Sequence, residues 1–155
     1  MRAAMGLLVI VGCVALAGCA SERDKLLEAG DKSCTALNAR FAGDLAFGEG
    51  VGMNDLAKMS ERARLAEELA AEVRKLPAGE TDQAALNKWL DSLASWAEEE
   101  RKLAEAIKTA KFGSDMAIAM QVTIPDSVAK TTAEAASTVG FTTCSQTKEW
   151  MAFPK

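Results

Sequence analysis

The chain has no histidine and no tyrosine, and only three prolines interrupt its 155 residues. Without histidine there is no histidine-based triad, no histidine-ligated zinc and no histidine-ligated haem. The di-iron pattern common in helical bundles needs Glu-x-x-His and is excluded on the same ground. No Gly-x-Ser-x-Gly element occurs, so the nucleophile elbow of many hydrolases is missing. A Ser–Lys dyad or a carboxylate pair stays open. Nothing in the pattern points to either, and the chain reads as a non-enzyme with no cofactor. Excess positive charge is lacking too: 18 Lys and Arg stand against 22 Asp and Glu, a net charge of −4. An acidic domain is repelled by nucleic-acid phosphate and by anionic headgroups, so neither is an expected partner.

Long apolar runs are scarce. One follows the basic start Met1-Arg2 and extends from Gly6 to Ala17. It is too short to span a bilayer and has the length of a secretory h-region. It ends in Leu16-Ala17-Gly18-Cys19, where small residues give a peptidase access to the backbone and Cys19 offers a thiol. This stretch resembles the lipobox of the bacterial lipoprotein class. The resemblance covers about the first nineteen residues. It implies a signal peptide cleaved before Cys19, a diacylglycerol thioether on its sulfur, and an acyl chain such as palmitate on its amine. The implied location is extracytoplasmic, with the lipid on Cys19 in the cell membrane, or in the outer membrane if the host has one. The expected organisation is a removed signal over 1–18, a lipidated tether over 19–30, a helical bundle over 31–144 and a tail over 145–155. Losing the signal removes one basic side chain, Arg2, and shifts the net charge from −4 to about −5.

Four cysteines are present. Cys13 leaves with the signal and Cys19 is the lipidation site, so Cys34 and Cys144 remain in an exported chain. One disulfide between them is the economical reading, with free thiols or a thiolate metal pair as the alternatives. Closing so long a loop contributes roughly 4–5 kcal/mol by restricting the unfolded chain.

Periodicity predicts four helices. In the first, about Asp31 to Phe47, Cys34, Leu37, Phe41 and Leu45 recur at steps of three and four. Residues 20–30 read as a polar tether, unless Leu26 and Leu27 start that helix early. The glycines between Gly48 and Gly52 mark a loop. The second helix starts at an Asn54 cap and stops before Pro77, with Leu56, Met59, Ala63, Ala66, Ala70 and Val73 as its seam. The third runs from Thr81 or Asp82 to about Lys111 on Leu86, Trp89, Leu93, Trp96, Leu103 and Ile107. The fourth, Asp115 to Val139, keeps helical phase through Pro125 on Ala117, Met120, Ile124, Val128, Thr131, Ala135 and Val139. Because the phase survives the proline, one kinked helix is expected. Gly140 and Phe141 suit a Schellman end, and the tail with Trp150, Met151 and Phe153 is expected to fold back. Short loops favour antiparallel neighbours, hence an all-α, up-down-up-down four-helix bundle closed by one disulfide. That topology sets Cys34 and Cys144 at the same end.

Three features are candidates for function. Glu100 breaks the apolar stripe of the third helix. Such a carboxylate can line a pocket, bind a cation, titrate with a raised pKa, or pair with Arg or Lys from another helix. Trp89 and Trp96, one heptad apart, are an aromatic wall for an apolar ligand or the bulky layers of an alanine-rich core. Met116 and Met120 have a spacing that suits Cu(I) thioether ligation, though methionine at helical spacing is usually core filler, and no metal site is assigned. Over most of its mature length the chain also resembles small all-helical envelope lipoproteins of unknown function. The resemblance rests on early Cys34, the alanine- and leucine-rich helices and the closing Val139-Gly140-Phe141-Thr142-Thr143-Cys144. It implies an envelope bundle with one disulfide and no activity to carry over. The expected function is a monomeric, non-enzymatic module that binds or scaffolds an envelope protein. The alternative is a carrier of a small apolar ligand in a pocket lined by Trp89, Trp96, Met120 and Glu100.

Overall fold

The structure is a computed structural model that describes residues 21–47, 53–109 and 115–151, with side chains of the last stretch from Thr123 onward. The Leu16–Cys19 stretch expected to be a lipobox, the 48–52 segment expected to be a loop, the side chains of Met116 and Met120, and Phe153 lie outside the described residues. All secondary structure among the described residues is helical, in four α-helices and two 3₁₀ turns: α1 Glu22–Ala42, α2 Leu56–Val73, α3 Glu80–Thr109 and α4 Asp115–Val139. Helix α3 packs on both α2 and α4, and α1 packs on α2. No helix among the described residues is long and apolar enough to cross a membrane.

Helix α1 begins earlier than expected. Ser21 closes a capping box with Asp24, each side chain meeting the other's backbone N–H at 3.0–3.1 Å. Glu22 and Asp24 also favour the positive end of the helix dipole. Residues 22–30 are therefore helical, the early start that Leu26 and Leu27 offered, and Leu26 is fully buried. Gly30, which resembles a break, sits inside the helix because a Cβ there would strike the Phe141 ring, with Cζ 2.8 Å away. The helix ends at Ala42, and a turn through Gly43 carries buried Leu45.

A 3₁₀ turn, Met53–Asp55, leads into α2, so the helix starts after Asp55 and not at an Asn54 cap. In α3, Leu86, Trp89, Leu93, Trp96, Glu100, Leu103 and Ile107 are all buried, in unbroken alternation of four and three. Helix α4 is continuous through Pro125, but its buried line is rotated from the expected one. Ile124 is 47% exposed and Thr131 is exposed, whereas Pro125, Ala129, Thr132, Ala136 and Val139 are buried. So many small residues line this helix that adjacent phases read almost equally well. Thr132 turns inward because its hydroxyl donates to Val128 O at 2.8 Å and reaches Ser92 O at 3.3 Å. A Schellman end closes α4, with Phe141 N–H donating to Ala136 O and Gly140 N–H to Ser137 O. Gly140 has φ +106°, which glycine adopts without strain.

The segment after α4 folds back into the core. The Cys34–Cys144 disulfide closes a 110-residue separation. Asp31 accepts the N–H groups of Thr142, Thr143 and Cys144 at 2.7–3.1 Å. Asn38 accepts from the Trp150 indole at 2.7 Å and donates to Gln146 O at 3.1 Å. Arg23, in the first turn of α1, pairs with Asp82 in the first turn of α3 and donates to Val139 O at the end of α4.

Candidate functional site

Trp89, Trp96 and Glu100 share one face of α3 and are buried to 0% exposure. Trp89 meets Phe141 with ring centroids 4.8 Å apart. Trp96 meets Trp150 at 4.9 Å and Phe41 at 5.7 Å. The wall that a ligand was expected to line is thus faced by rings of α1 and of the segment after α4. The two wall tryptophans stand in separate layers, a heptad or about 10 Å apart along the helix. Met120 lies on α4, and its side chain is outside the described residues.

Glu100 belongs to the Trp96 layer, and its neighbour there is Arg62 of α2. The guanidinium is 1% exposed. Its Cζ lies over the Phe41 ring at 4.2 Å, over Phe47 at 4.3 Å and near Trp96 at 5.7 Å. One terminal nitrogen donates to Leu45 O at 3.3 Å, the other to Glu149 O at 3.0 Å and Trp150 O at 2.7 Å. Nε is left facing Glu100, 3.9 Å from Oε2. At that distance the two attract as charges but share no hydrogen bond. Neither Glu100 oxygen has a hydrogen-bond partner among the described residues, nor does Arg62 Nε or the indole nitrogen of Trp89 or Trp96.

Burial dominates the electrostatics. It pushes the Glu100 carboxyl from 4.5 up to about 7; Arg62 opposes the rise and Asp126 of α4 adds to it. Burial likewise lowers Arg62 from its ordinary value, against the pull of Glu100, Asp126 and Glu149. Near neutral pH the site holds a fixed cation in an aromatic cage beside a carboxyl poised to lose its proton. That suits proton binding and conformational locking.

Arg62 was not among the residues singled out by sequence, although its position carried a signal. Counting Met59, Arg62, Ala66, Leu69 and Val73 gives steps of three and four that match the buried face. Ala63 beside it offered an apolar seam of equal quality, and that hid the arginine. Within the core α2 thus contributes Arg62 and α3 contributes Glu100, charges of opposite sign, and Asp82 in the first turn of α3 is buried as well.

Elsewhere the surface carries a groove between α1 and α2, floored by Ala29, Ala36, Leu37, Leu65 and Leu69, and a second between α3 and α4 against Leu103, Ala106 and Ile124. Lys32 and Arg40 line the α1 side of the first and Glu68 and Glu72 its α2 side. Among the described residues no cluster of three or more Cys, Asp or Glu side chains is arranged to hold a metal. No family model, no curated protein and no solved structure matches this chain.

Proposed function

We propose that the chain is an envelope lipoprotein held to the membrane by lipid on Cys19, whose helical domain binds or scaffolds another protein and carries out no catalysis. The observation that carries the binding reading is the occupied interior. Trp89 and Trp96 are sealed by Phe141, Phe41 and Trp150. A carrier would have to expel those rings to admit an apolar ligand, so the open apolar surface between α1 and α2 is the better binding feature. Leu16-Ala17-Gly18-Cys19 supports the anchor, and the Cys34–Cys144 disulfide suits an oxidising compartment. The helices alternate up-down-up-down in this reading. Its support is that Arg23 joins the starts of α1 and α3 to the end of α4, and that the disulfide joins α1 to the chain just after α4.

Photo-crosslinking in the native host tests the proposal. A photoreactive residue at Ala36, in the groove, should capture one defined envelope protein. The same residue at Ala94, exposed on α3, should not. Equal, diffuse labelling from both positions would remove the binding reading.

A further inference from the structure

Residues 145–151 lie as a strap against the aromatic core, with Trp150 buried against Phe41 and Trp96. At its root the chain is fixed by the disulfide and by Asp31. Beyond Cys144 the strap bonds to Asn38 through Gln146 O and the Trp150 indole, and to Arg62 through Glu149 O and Trp150 O. Its own turns add Gln146 N–H to Thr143 O, Trp150 N–H to Thr147 O and Met151 N–H to Lys148 O. Arg62 is thus the strap's charged anchor, and the same guanidinium turns Nε toward the bare carboxyl of Glu100.

We propose that residues 145–151 are a proton-linked latch: when Glu100 ionises it draws Arg62 away from the Glu149 and Trp150 carbonyls, and the strap lifts about Cys144 to bare Phe41 and Trp96. An ionised carboxylate without a donor is costly in a core. Two remedies exist, a hydrogen bond from Arg62 Nε after an approach of about 1 Å, or hydration. Release of the strap favours both, because it frees the guanidinium and admits water beside it. The described charged groups that act on the pair are Asp126 of α4 and the Glu149 carboxylate of the strap itself. From α1 and the turn after it come the Phe41 ring and the Leu45 carbonyl.

Linkage sets the size of the effect. With the strap closed the carboxyl sits at about 7, and in an opened, hydrated site it moves toward its ordinary 4.5. The opening equilibrium then rises about tenfold per pH unit across that window, by on the order of a hundredfold in all, and levels off above it. Unlike a permanent exposed patch, such a surface appears only on the alkaline side.

Hydrogen exchange on the full, disulfide-intact chain tests the latch, with intrinsic exchange corrected at each pH. Between pH 5 and 8, protection of the Gln146, Trp150 and Met151 amides should fall by roughly a hundredfold. Core amides of α3 around Trp89, which exchange through global unfolding, should stay better protected than the strap at every pH, and Glu100→Gln should flatten the strap's response. Unchanged strap protection in the wild type would overturn the proposal, as would strap amides as well protected as those of α3, which would mean the strap opens only with the whole fold, or a Glu100→Gln variant that keeps the full response. If that variant fails to fold, Asp126→Asn serves instead. It should move the midpoint to lower pH, and a fixed midpoint would count against the latch.

Discussion

Arg62 Nε stands 3.9 Å from Glu100 Oε2, with both side chains at most 1% exposed and no hydrogen bond joining them. The arginine is satisfied mainly by backbone carbonyls and aromatic faces, the glutamate by nothing among the described residues. Breaking one side of such a pair strands the other, whereas replacing both removes the burial penalty as well.

Arg62→Leu should therefore destabilise the fold by about 3–5 kcal/mol, since Glu100 loses its only described cation and the carbonyls of Leu45, Glu149 and Trp150 lose their donor. The double variant Arg62→Leu/Glu100→Leu should recover most of that loss. Denaturant unfolding of wild type, both single variants and the double variant reads the coupling directly. Additive losses would mean that the two side chains act independently.

Stability should fall as pH rises from 4.5 toward 7. The Glu100 carboxyl is raised in the fold, so the native state binds its proton more tightly than the unfolded chain does. Its contribution is fully present below the unfolded value of 4.5 and is lost as pH passes the folded value of about 7. The change is about 3 kcal/mol. Glu61 and Glu67 are shifted the opposite way by Arg64 and Arg101, but these pairs are largely exposed and weigh little. Midpoints of denaturant unfolding measured at pH 5 and pH 8 check the sign, and Glu100→Gln should flatten the slope.

The third helix was almost fully legible, because alternating bulky residues at steps of three and four admit one phase only, and the disulfide followed from counting the cysteines left once Cys13 and Cys19 were assigned to the expected signal and anchor. The start of α1 was not. Its polar residues around one Leu26-Leu27 pair read as a tether until the Phe141 ring lying against Gly30 is known, and that contact joins residues 111 positions apart. Helix α4 was placed but turned to the wrong face at Ile124 and Thr131, since small residues on every side leave its periodicity flat. Of the site, Glu100 stood out against its stripe. Arg62 did not, because the alanine beside it filled the expected seam.

Gly30→Ala tests that tertiary reading of the glycine. On an exposed helix the change would stabilise by up to about 1 kcal/mol. Here the new methyl group meets the Phe141 ring, so a loss of roughly 1–3 kcal/mol is expected in thermal or denaturant unfolding. A stabilised variant would show that α1 does not press on the ring.

Asp31→Ala removes the acceptor shared by the Thr142, Thr143 and Cys144 amides. About 1–3 kcal/mol should be lost, with faster exchange at those three amides. The linked Cys34–Cys144 peptide should still be recovered from a non-reducing digest. Two alkylatable thiols in the wild-type protein would contradict the disulfide itself.

Native mass spectrometry of the protein extracted from its own membranes bears most directly on the envelope-lipoprotein reading. The expected species begins at Cys19, carries the mass of diacylglycerol and an acyl chain, holds no small molecule, and includes a population bound to a second protein. An N-terminus other than lipidated Cys19 would contradict the anchor. A stoichiometric small-molecule adduct on a partner-free monomer would contradict the binding function in favour of a carrier.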